Sequence, residues 1–98
     1  METLLIIVSG KLYVDPDVRD KYLAGCLDAM EQARATPGCL DFVLAADPIE
    51  PDRINVYERW ESDAHLHRFR DAGPEPEQTA AIRDAQVAKY RISSSEAP

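Results

Sequence analysis

The sequence predicts an α+β fold in which helical segments cover one face of a four-stranded antiparallel sheet. Three observations predict it: the order of apolar and amphipathic segments, the proline- and glycine-containing breaks between them, and strands that are apolar on both faces. The chain has 98 residues, of which 45% are hydrophobic and 30% charged, which suits one domain with a single core. We therefore predict one domain over residues 1–92, followed by a disordered tail at 93–98.

The first half of the chain indicates one strand followed by one helix. Residues 4–14 are aliphatic and β-branched, and this run is too short between breakers for a buried helix. Asp15 can cap the helix that follows, and Pro16 suits its first turn, where a backbone N–H is not needed. An apolar stripe with helical spacing continues to about Ala35, and the Thr-Pro-Gly segment at 36–38 ends the helix.

The middle of the chain predicts a β-hairpin. Residues 39–46 and 53–60 are short strand-like segments, and the polar connection between them is punctuated by prolines. Because consecutive strands with a short connection usually pair, these two should form an antiparallel hairpin.

The remainder of the chain predicts a divided helical segment and a closing strand. Ser62 can cap a short helix that runs through Arg70, and another short helix is predicted from residue 76 to about 85. Residues 86–92 form the fourth strand. The order is therefore β-α-β-β-α-β, which is the pattern of a ferredoxin-like domain.

Both faces of the sheet are predicted to be apolar, unlike an antiparallel sheet with one solvated face. One face of the first strand carries Leu4, Ile6, Val8 and Leu12, and the other carries Leu5, Ile7 and Tyr13. In the second strand, Leu40, Phe42 and Leu44 alternate with Cys39, Val43 and Ala45. Burying each aliphatic side chain stabilises by about 1.5–3 kcal/mol, so a second copy of the sheet should cover the open face. The sequence thus predicts a homodimer, with an unusually apolar monomer as the alternative.

Charge, hydropathy and cysteine spacing argue against several classes of function. The formal net charge of −7 repels phosphate backbones, so we expect no nucleic-acid partner. The longest apolar run, at 4–8, is too short to span a membrane, and no basic segment precedes it. We therefore expect no membrane association and a cytoplasmic location. Cys26 and Cys39 match no metal or redox spacing, so they are predicted to be buried reduced thiols, and no metal is expected.

The third strand places a carboxylate and a large aromatic side chain on the same face. Glu58 and Trp60 share that face with Val56, whereas Tyr57 lies on the other. If Trp60 faces the helices, Glu58 enters a largely apolar layer, where a carboxylate needs a partner or a raised pKa. Two interpretations stay open: a structural ion pair, for instance with an arginine, or a carboxylate at the mouth of a ligand pocket walled by Trp60.

The histidines His65 and His67 belong to the short helix after this strand. Since they are two residues apart, they point about 200° apart and cannot chelate one metal from that helix. His67 is placed to pair with Asp63 on the helix surface. His65 lies near the apolar stripe, so it is either a histidine at the edge of the core or an acid/base group in a pocket.

Several segments, in order along the chain, resemble the antibiotic biosynthesis monooxygenase family. They are Pro37-Gly38-Cys39-Leu40, then Tyr57-Glu58-Arg59-Trp60-Glu61-Ser62, and the closing Val87, Tyr90 and Ile92. The resemblance extends over about residues 4–92. It implies ferredoxin-like protomers that dimerise through facing sheets into a dimeric α/β-barrel. Characterised members of the family include cofactor-independent oxygenases of anthrones and quinols, and relatives that degrade haem.

The chain departs from the family at positions that carry polar groups elsewhere. Trp60 matches the family's pocket tryptophan. Many members have a histidine nine residues later, where this chain has Phe69, and anthrone oxygenases have an asparagine four residues earlier, where it has Val56. Haem-degrading members have an asparagine on the first strand, near Gly10 here, and a haem-ligating histidine that has no clear counterpart.

The resemblance implies oxygenation, without a cofactor, of an electron-rich aromatic such as a quinol or an anthrone. The base would be His65 or Glu58, beside the catalytic Trp60, and the sequence favours His65 because imidazole titrates near neutral pH. The candidate pocket residues are Tyr22, Phe42, Trp60 and Phe69, with Tyr57 or Tyr90 as hydrogen-bond donor. The alternatives are a non-catalytic dimer that binds a small aromatic or acts as a stress-linked accessory protein, and haem binding or degradation.

Overall fold

The computed structural model describes residues 5–71 and 80–98. The strands and helices are, in chain order, β1 (Leu5–Tyr13), α1 (Arg19–Gly25), α2 (Leu27–Ala35), β2 (Cys39–Ala46), β3 (Arg53–Trp60), α3 (Asp63–Asp71) and β4 (Asp84–Ile92). This is the predicted order of strands and helical segments. The α+β, ferredoxin-like fold is confirmed.

The four strands form one sheet in the order β2-β3-β1-β4, with every neighbouring pair antiparallel. Ile6 and Val8 of β1 are buried under the helices, whereas Ile7 between them lies on the opposite face, beside Arg59 of β3 and Tyr90 of β4. The period-two prediction for the first strand is therefore confirmed over Leu5–Tyr13, whereas Leu4 lies outside the described residues. We call the two sides of the sheet the helix face and the open face.

The predicted single helix up to Ala35 is wrong, because the chain breaks at Cys26 into α1 and α2. The Cys26 N–H bonds the carbonyls of Ala24 and Leu23 instead of continuing the regular helical ladder. Gly25, which precedes the break, is a poor helix former. The break leaves Cys26 in the core, only 4% exposed.

Two expectations about helix ends have opposite outcomes. Asp15 does not cap α1: the helix begins after Val18 without a side-chain cap, and the Asp15 carboxylate pairs with Arg83 at 2.6 Å. Ser62 does cap α3, since its Oγ accepts a hydrogen bond from the backbone N–H of His65 at 3.3 Å.

The end of the chain also differs from the prediction. Residues 84 and 85 already belong to β4, so the helix predicted over 76–85 stops earlier. Most of that predicted helix lies outside the described residues. The division into a domain at 1–92 and a disordered tail stays a prediction.

A β-bulge at Leu40 corrects the predicted alternation of β2. Cys39 pairs with Trp60 and Asp41 with Arg59, so Leu40 is an extra residue without a partner on β3. Cys39 therefore lies on the helix face and packs against the core, whereas Leu40 is 40% exposed. Both cysteines are free thiols; Cys26 is buried and Cys39 only partly so.

The helix α2 covers the edge of the sheet at β2. Arg34 Nε donates to the Phe42 carbonyl at 2.8 Å, and the Leu44 N–H donates to Met30 Sδ at 3.4 Å. These contacts satisfy outward backbone groups of an edge strand and hold Phe42 in place. Within residues 5–71 and 80–98, no helix is long and apolar enough to cross a membrane.

Candidate functional site

The candidate site lies on the helix face, where the end of β3 meets α3. Alternate residues of β3 are buried, which turns Glu58 and Trp60 inward together, as the period of two predicts. Around them the core contains the side chains Ile6, Val8, Cys26, Met30, Ala33, Phe42 and Leu66. Glu58 is thus a carboxylate in a layer of apolar groups.

Aromatic rings form one wall of the site. Trp60 is fully buried, and its ring centroid lies 5.3 Å from that of Phe69 on α3. Phe69 also meets Phe42 of β2 edge to face at 5.6 Å. These separations lie in the favourable range for aromatic pairs. The three side chains come from different elements, so the aromatic cluster ties α3 to both strands of the hairpin.

Glu58 as a residue is 7% exposed, and its carboxylate has two different neighbours. Trp60 Nε1–H donates to Oε1 at 3.1 Å, while a guanidinium nitrogen of Arg70 lies 3.8 Å from Oε2. Burial raises the pKa of Glu58 above its ordinary value of 4.5, and Trp60 and Arg70 oppose that rise only in part. Glu58 therefore has both an arginine neighbour and a raised pKa, the two features expected of a carboxylate in an apolar layer.

Tyr22 and Cys26 form a second polar pair at the border of the same core. Tyr22 is partly buried against the core cluster. Burial and the neighbouring Cys26 raise the pKa of Tyr22 to about 12, and burial raises the pKa of the Cys26 thiol. Near neutral pH both groups are therefore protonated and can donate a hydrogen bond.

His65 has a different environment from Glu58. Its Nδ1 lies 2.6 Å from the Ser62 hydroxyl, in the first turn of α3. A β-carbon added to Gly38 would come within 2.2 Å of the His65 ring, so the imidazole packs on that backbone. Among residues 5–71 and 80–98, no hydrogen bond or ion pair joins His65 to Glu58 or Trp60.

The other predicted residues divide between this site and the rest of the molecule. Phe42 and Phe69 belong to the aromatic cluster, and Tyr22 packs against the hydrophobic core. Tyr57 and Tyr90 lie on the open face instead, since Tyr57 pairs with Ser9 of β1 and Tyr90 with Ile7. His67 pairs with Asp63 at 3.4 Å, as predicted.

Arg70 belongs to the site, although the sequence predicted only that some arginine could pair with Glu58. It follows Phe69 on α3 and lies four residues after Leu66, so helical spacing could have placed it beside the buried stripe. Only the closeness of α3 to β3 shows that it meets Glu58. Within the described part of the chain, no group of three or more histidine, cysteine or acidic side chains could hold a metal ion.

Solved structures with this fold define the class: a small ferredoxin-like α+β domain. A conserved protein from Methanosarcina mazei superposes with a TM-score of 0.78 at 17% identity, covering 93% of this chain and 94% of that one. A candidate antibiotic biosynthesis monooxygenase from Nitrosomonas europaea gives 0.79 at 12% identity, covering 95% and 94%. Another from Deinococcus radiodurans gives 0.77 at 17% identity, covering 95% and 97%.

Residues 5–86 match the family model of antibiotic biosynthesis monooxygenases, so the chain belongs to that family. An uncharacterized protein from Synechocystis is 24% identical over 100 residues, covering 93% of this chain. The chain spans 65% of the length of that relative.

Proposed function

We propose that this protein is a cofactor-independent monooxygenase of an electron-rich aromatic, of the quinol or anthrone type. The observation that carries the proposal is the Glu58 carboxylate, buried against Trp60 with a raised pKa. A general base works best when its pKa approaches the working pH, and burial moves a carboxylate in that direction. Trp60, Phe69 and Phe42 give the apolar surroundings in which a flat aromatic substrate would bind.

The geometry favours Glu58 over His65 as the base. Oε1 of Glu58 is fixed by Trp60, which leaves Oε2 to accept a substrate proton. Nδ1 of His65 is engaged by Ser62, and its ring lies against Gly38. The proposal therefore gives the proton to Glu58 and keeps His65 as the comparison residue.

The reaction needs no external reductant. Removing a proton from the substrate gives an anion that can pass an electron to O2, and recombination forms a carbon–oxygen bond. When a ring CH2 becomes C=O, one oxygen atom enters the product and the other leaves as water. The electrons that the carbon loses account for the complete reduction of O2. The protein need only bind the substrate, exclude water and accept the proton.

Oxygen uptake on a panel of quinols and anthrones tests this function. Glu58→Gln keeps the shape and can still accept from Trp60, so losing the base should lower the rate about 10²–10⁴-fold. Glu61→Gln, at an exposed neighbouring carboxylate, is the matched control and should keep the wild-type rate. If His65→Ala lowers the rate of oxygen uptake and Glu58→Gln does not, His65 is the base instead of Glu58. Binding without any oxygen uptake by the wild type would favour a non-catalytic binding protein.

We further propose that the protein acts as a homodimer through the open face. On this face Ile7 lies beside Tyr90, and Tyr57 lies beside Val43 of β2, which gives an apolar pair on each half of the sheet. Between β1 and β3, Ile7 is opposite Arg59 and Tyr57 is opposite Ser9, so polar side chains interrupt this apolar patch. Tyr90 is 51% exposed in one chain, so its ring is available to a second protomer. A two-fold axis would bring the patch of one protomer onto that of its partner.

A matched pair of isoleucine substitutions tests the dimer. Ile7→Glu buries a charge in the proposed interface, whereas Ile49→Glu places it on a connection where the side chain is 87% exposed. Sedimentation should show a dimer for the wild type and Ile49→Glu, and monomer or unfolded chain for Ile7→Glu. A wild-type species at the monomer mass of 11.0 kDa contradicts the proposal.

A further inference from the structure

The contact between Arg70 and Glu58 is loose for an ion pair at a buried carboxylate. The separation of 3.8 Å exceeds hydrogen-bond distance, and the Arg70 side chain is 51% exposed while that of Glu58 is 9% exposed. Lys89 and Arg91 of β4, in contrast, both bind Asp63 closely, at 2.8 and 3.0 Å. A purely structural arginine would be expected to close on its carboxylate in the same way.

Because this contact is loose, Oε2 of Glu58 has no close donor in the part of the chain that the structure describes. Trp60 takes Oε1, and among the described residues no hydrogen bond reaches Oε2. Since Oε2 and the guanidinium nitrogen are 3.8 Å apart, one ligand oxygen could lie about 2.8 Å from both of them. Such an oxygen would contact a base and a cation at once, beside the rings of Trp60 and Phe69.

We propose that Arg70 is the residue that binds the hydroxyl group of the quinol-type substrate: the hydroxyl oxygen lies between Arg70 and Glu58 and is held there as the aryloxide. This inference rests on the proposed function, since it concerns the same site. Oε2 of Glu58 takes the hydroxyl proton and becomes a neutral carboxylic acid. The negative charge then stays on the ligand oxygen, where the guanidinium donates charge-assisted hydrogen bonds.

The charged groups around Glu58 agree with this division of roles. Arg70 is the cation that faces Glu58 from α3, and Cys39 is the ionisable group that lies near it on β2. Burial raises the pKa of Cys39, so the thiol is neutral near pH 7 and does not compete for the proton. Arg68 on the same helix is exposed and has no ion pair among the described residues, which makes it a matched control.

Titration with 4-nitrophenol, whose phenolate has its own visible absorption band, tests the proposal without requiring turnover. The wild type at a pH just below the pKa of the free ligand should increase the phenolate band, because it binds the anion. Arg70→Gln should lose about ten- to hundredfold in phenolate affinity, as expected for hydrogen bonds to a charged group. Arg68→Gln should bind like the wild type, and Glu58→Gln should keep phenolate binding because its amide can donate to the anion.

A second ligand isolates the hydroxyl. 4-Nitroanisole, which has a methyl ether in place of the hydroxyl, should bind the wild type and Arg70→Gln equally. Equal phenolate affinities of Arg70→Gln and Arg68→Gln, or no phenolate band with the wild type, would overturn the assignment. If the wild type binds phenolate but takes up no oxygen, only the proposed oxygenase activity is overturned. If Arg70→Gln is misfolded by circular dichroism, Arg70→Lys replaces it and should bind phenolate less tightly than the wild type does.

Discussion

Glu58 and Asp63 are carboxylates only five residues apart, but they lie in opposite surroundings. Glu58 is buried with an indole N–H and one loosely held arginine, and its pKa is raised. Asp63 opens α3 at the surface, where Lys89 and Arg91 bind it and lower its pKa to about 2. The comparison shows that desolvation prepares one carboxylate to take a proton, whereas close cations keep the other ionised and use it to join α3 to β4.

The two candidate bases follow the same division. Glu58 accepts a hydrogen bond from Trp60 of the aromatic cluster, whereas His65 lies in the first turn of α3, beside the capping residue Ser62. Our proposal therefore places substrate binding and proton transfer at the aromatic cluster. The first turn of α3 has a structural role, since the Ser62 cap and the contact with Gly38 hold the imidazole of His65.

The largest expected effect comes from removing the aromatic wall. Trp60→Ala deletes a fully buried side chain and the donor to Glu58, so we expect a loss of about 3–5 kcal/mol in the free energy of unfolding. Urea denaturation measures it. Ile49→Ala, at an exposed position, should change stability little and serves as the control. A loss below 1 kcal/mol for Trp60→Ala, on the order of an ordinary surface change, would mean that the cluster does not hold α3 on the sheet.

Substitutions at the contact between Gly38 and His65, at the start of α3, should change the free energy of unfolding less. Gly38 has φ +89, which disfavours other residues, and a β-carbon there meets the His65 ring. Gly38→Ala should therefore cost about 1–3 kcal/mol. In a His65→Ala background the same change should cost less, because the steric part is gone. A double-mutant cycle by urea denaturation measures the coupling, and exact additivity would contradict the packing of His65 on Gly38.

Most of the fold could be predicted from local patterns, because each strand and the cap at Ser62 depend on nearby residues. The bulge at Leu40 and the break at Cys26 could not, since a single extra or unpaired residue changes little in a periodic pattern. The alternation of Val56, Glu58 and Trp60 predicted which side chains turn inward. The inward orientation of Glu58 and Trp60 could therefore be predicted from the sequence.

The rest of the site depends on how α3 is placed on the sheet. Spacing along the helix put His65 near the apolar stripe, but the Ser62 cap and Gly38 hold it at the edge. Arg70 reaches Glu58 only because Phe69 packs on Trp60 and fixes the rotation of the helix. Such tertiary distances cannot be read from a spacing of residues in one segment.

The raised pKa of Glu58 predicts a pH-dependent stability. Between the ordinary value of 4.5 and the higher folded value, the folded chain holds a proton that the unfolded chain has lost. The free energy of unfolding should therefore fall as the pH rises through this window. Glu58→Gln removes the dependence, so its stability relative to the wild type should increase with pH. Urea denaturation from pH 4 to 8, with Glu61→Gln as control, measures the effect, and parallel curves would contradict the buried carboxylate.

Asp63 should give the opposite dependence and the smallest effect, because it is partly exposed and its ion pairs are screened by salt. Its pKa falls from the ordinary 3.8 to about 2 on folding, so it stabilises the protein fully above pH 3.8 and less as the pH falls toward 2. The stability difference between wild type and Asp63→Asn should thus be constant near neutral pH, close on acidification and shrink in high salt. Thermal unfolding at several pH values and two salt concentrations measures it. Asp17→Asn, at an exposed aspartate without an ion pair among the described residues, should show no such closing. A difference that instead grew at low pH would show that Asp63 is held by something other than the cations of β4.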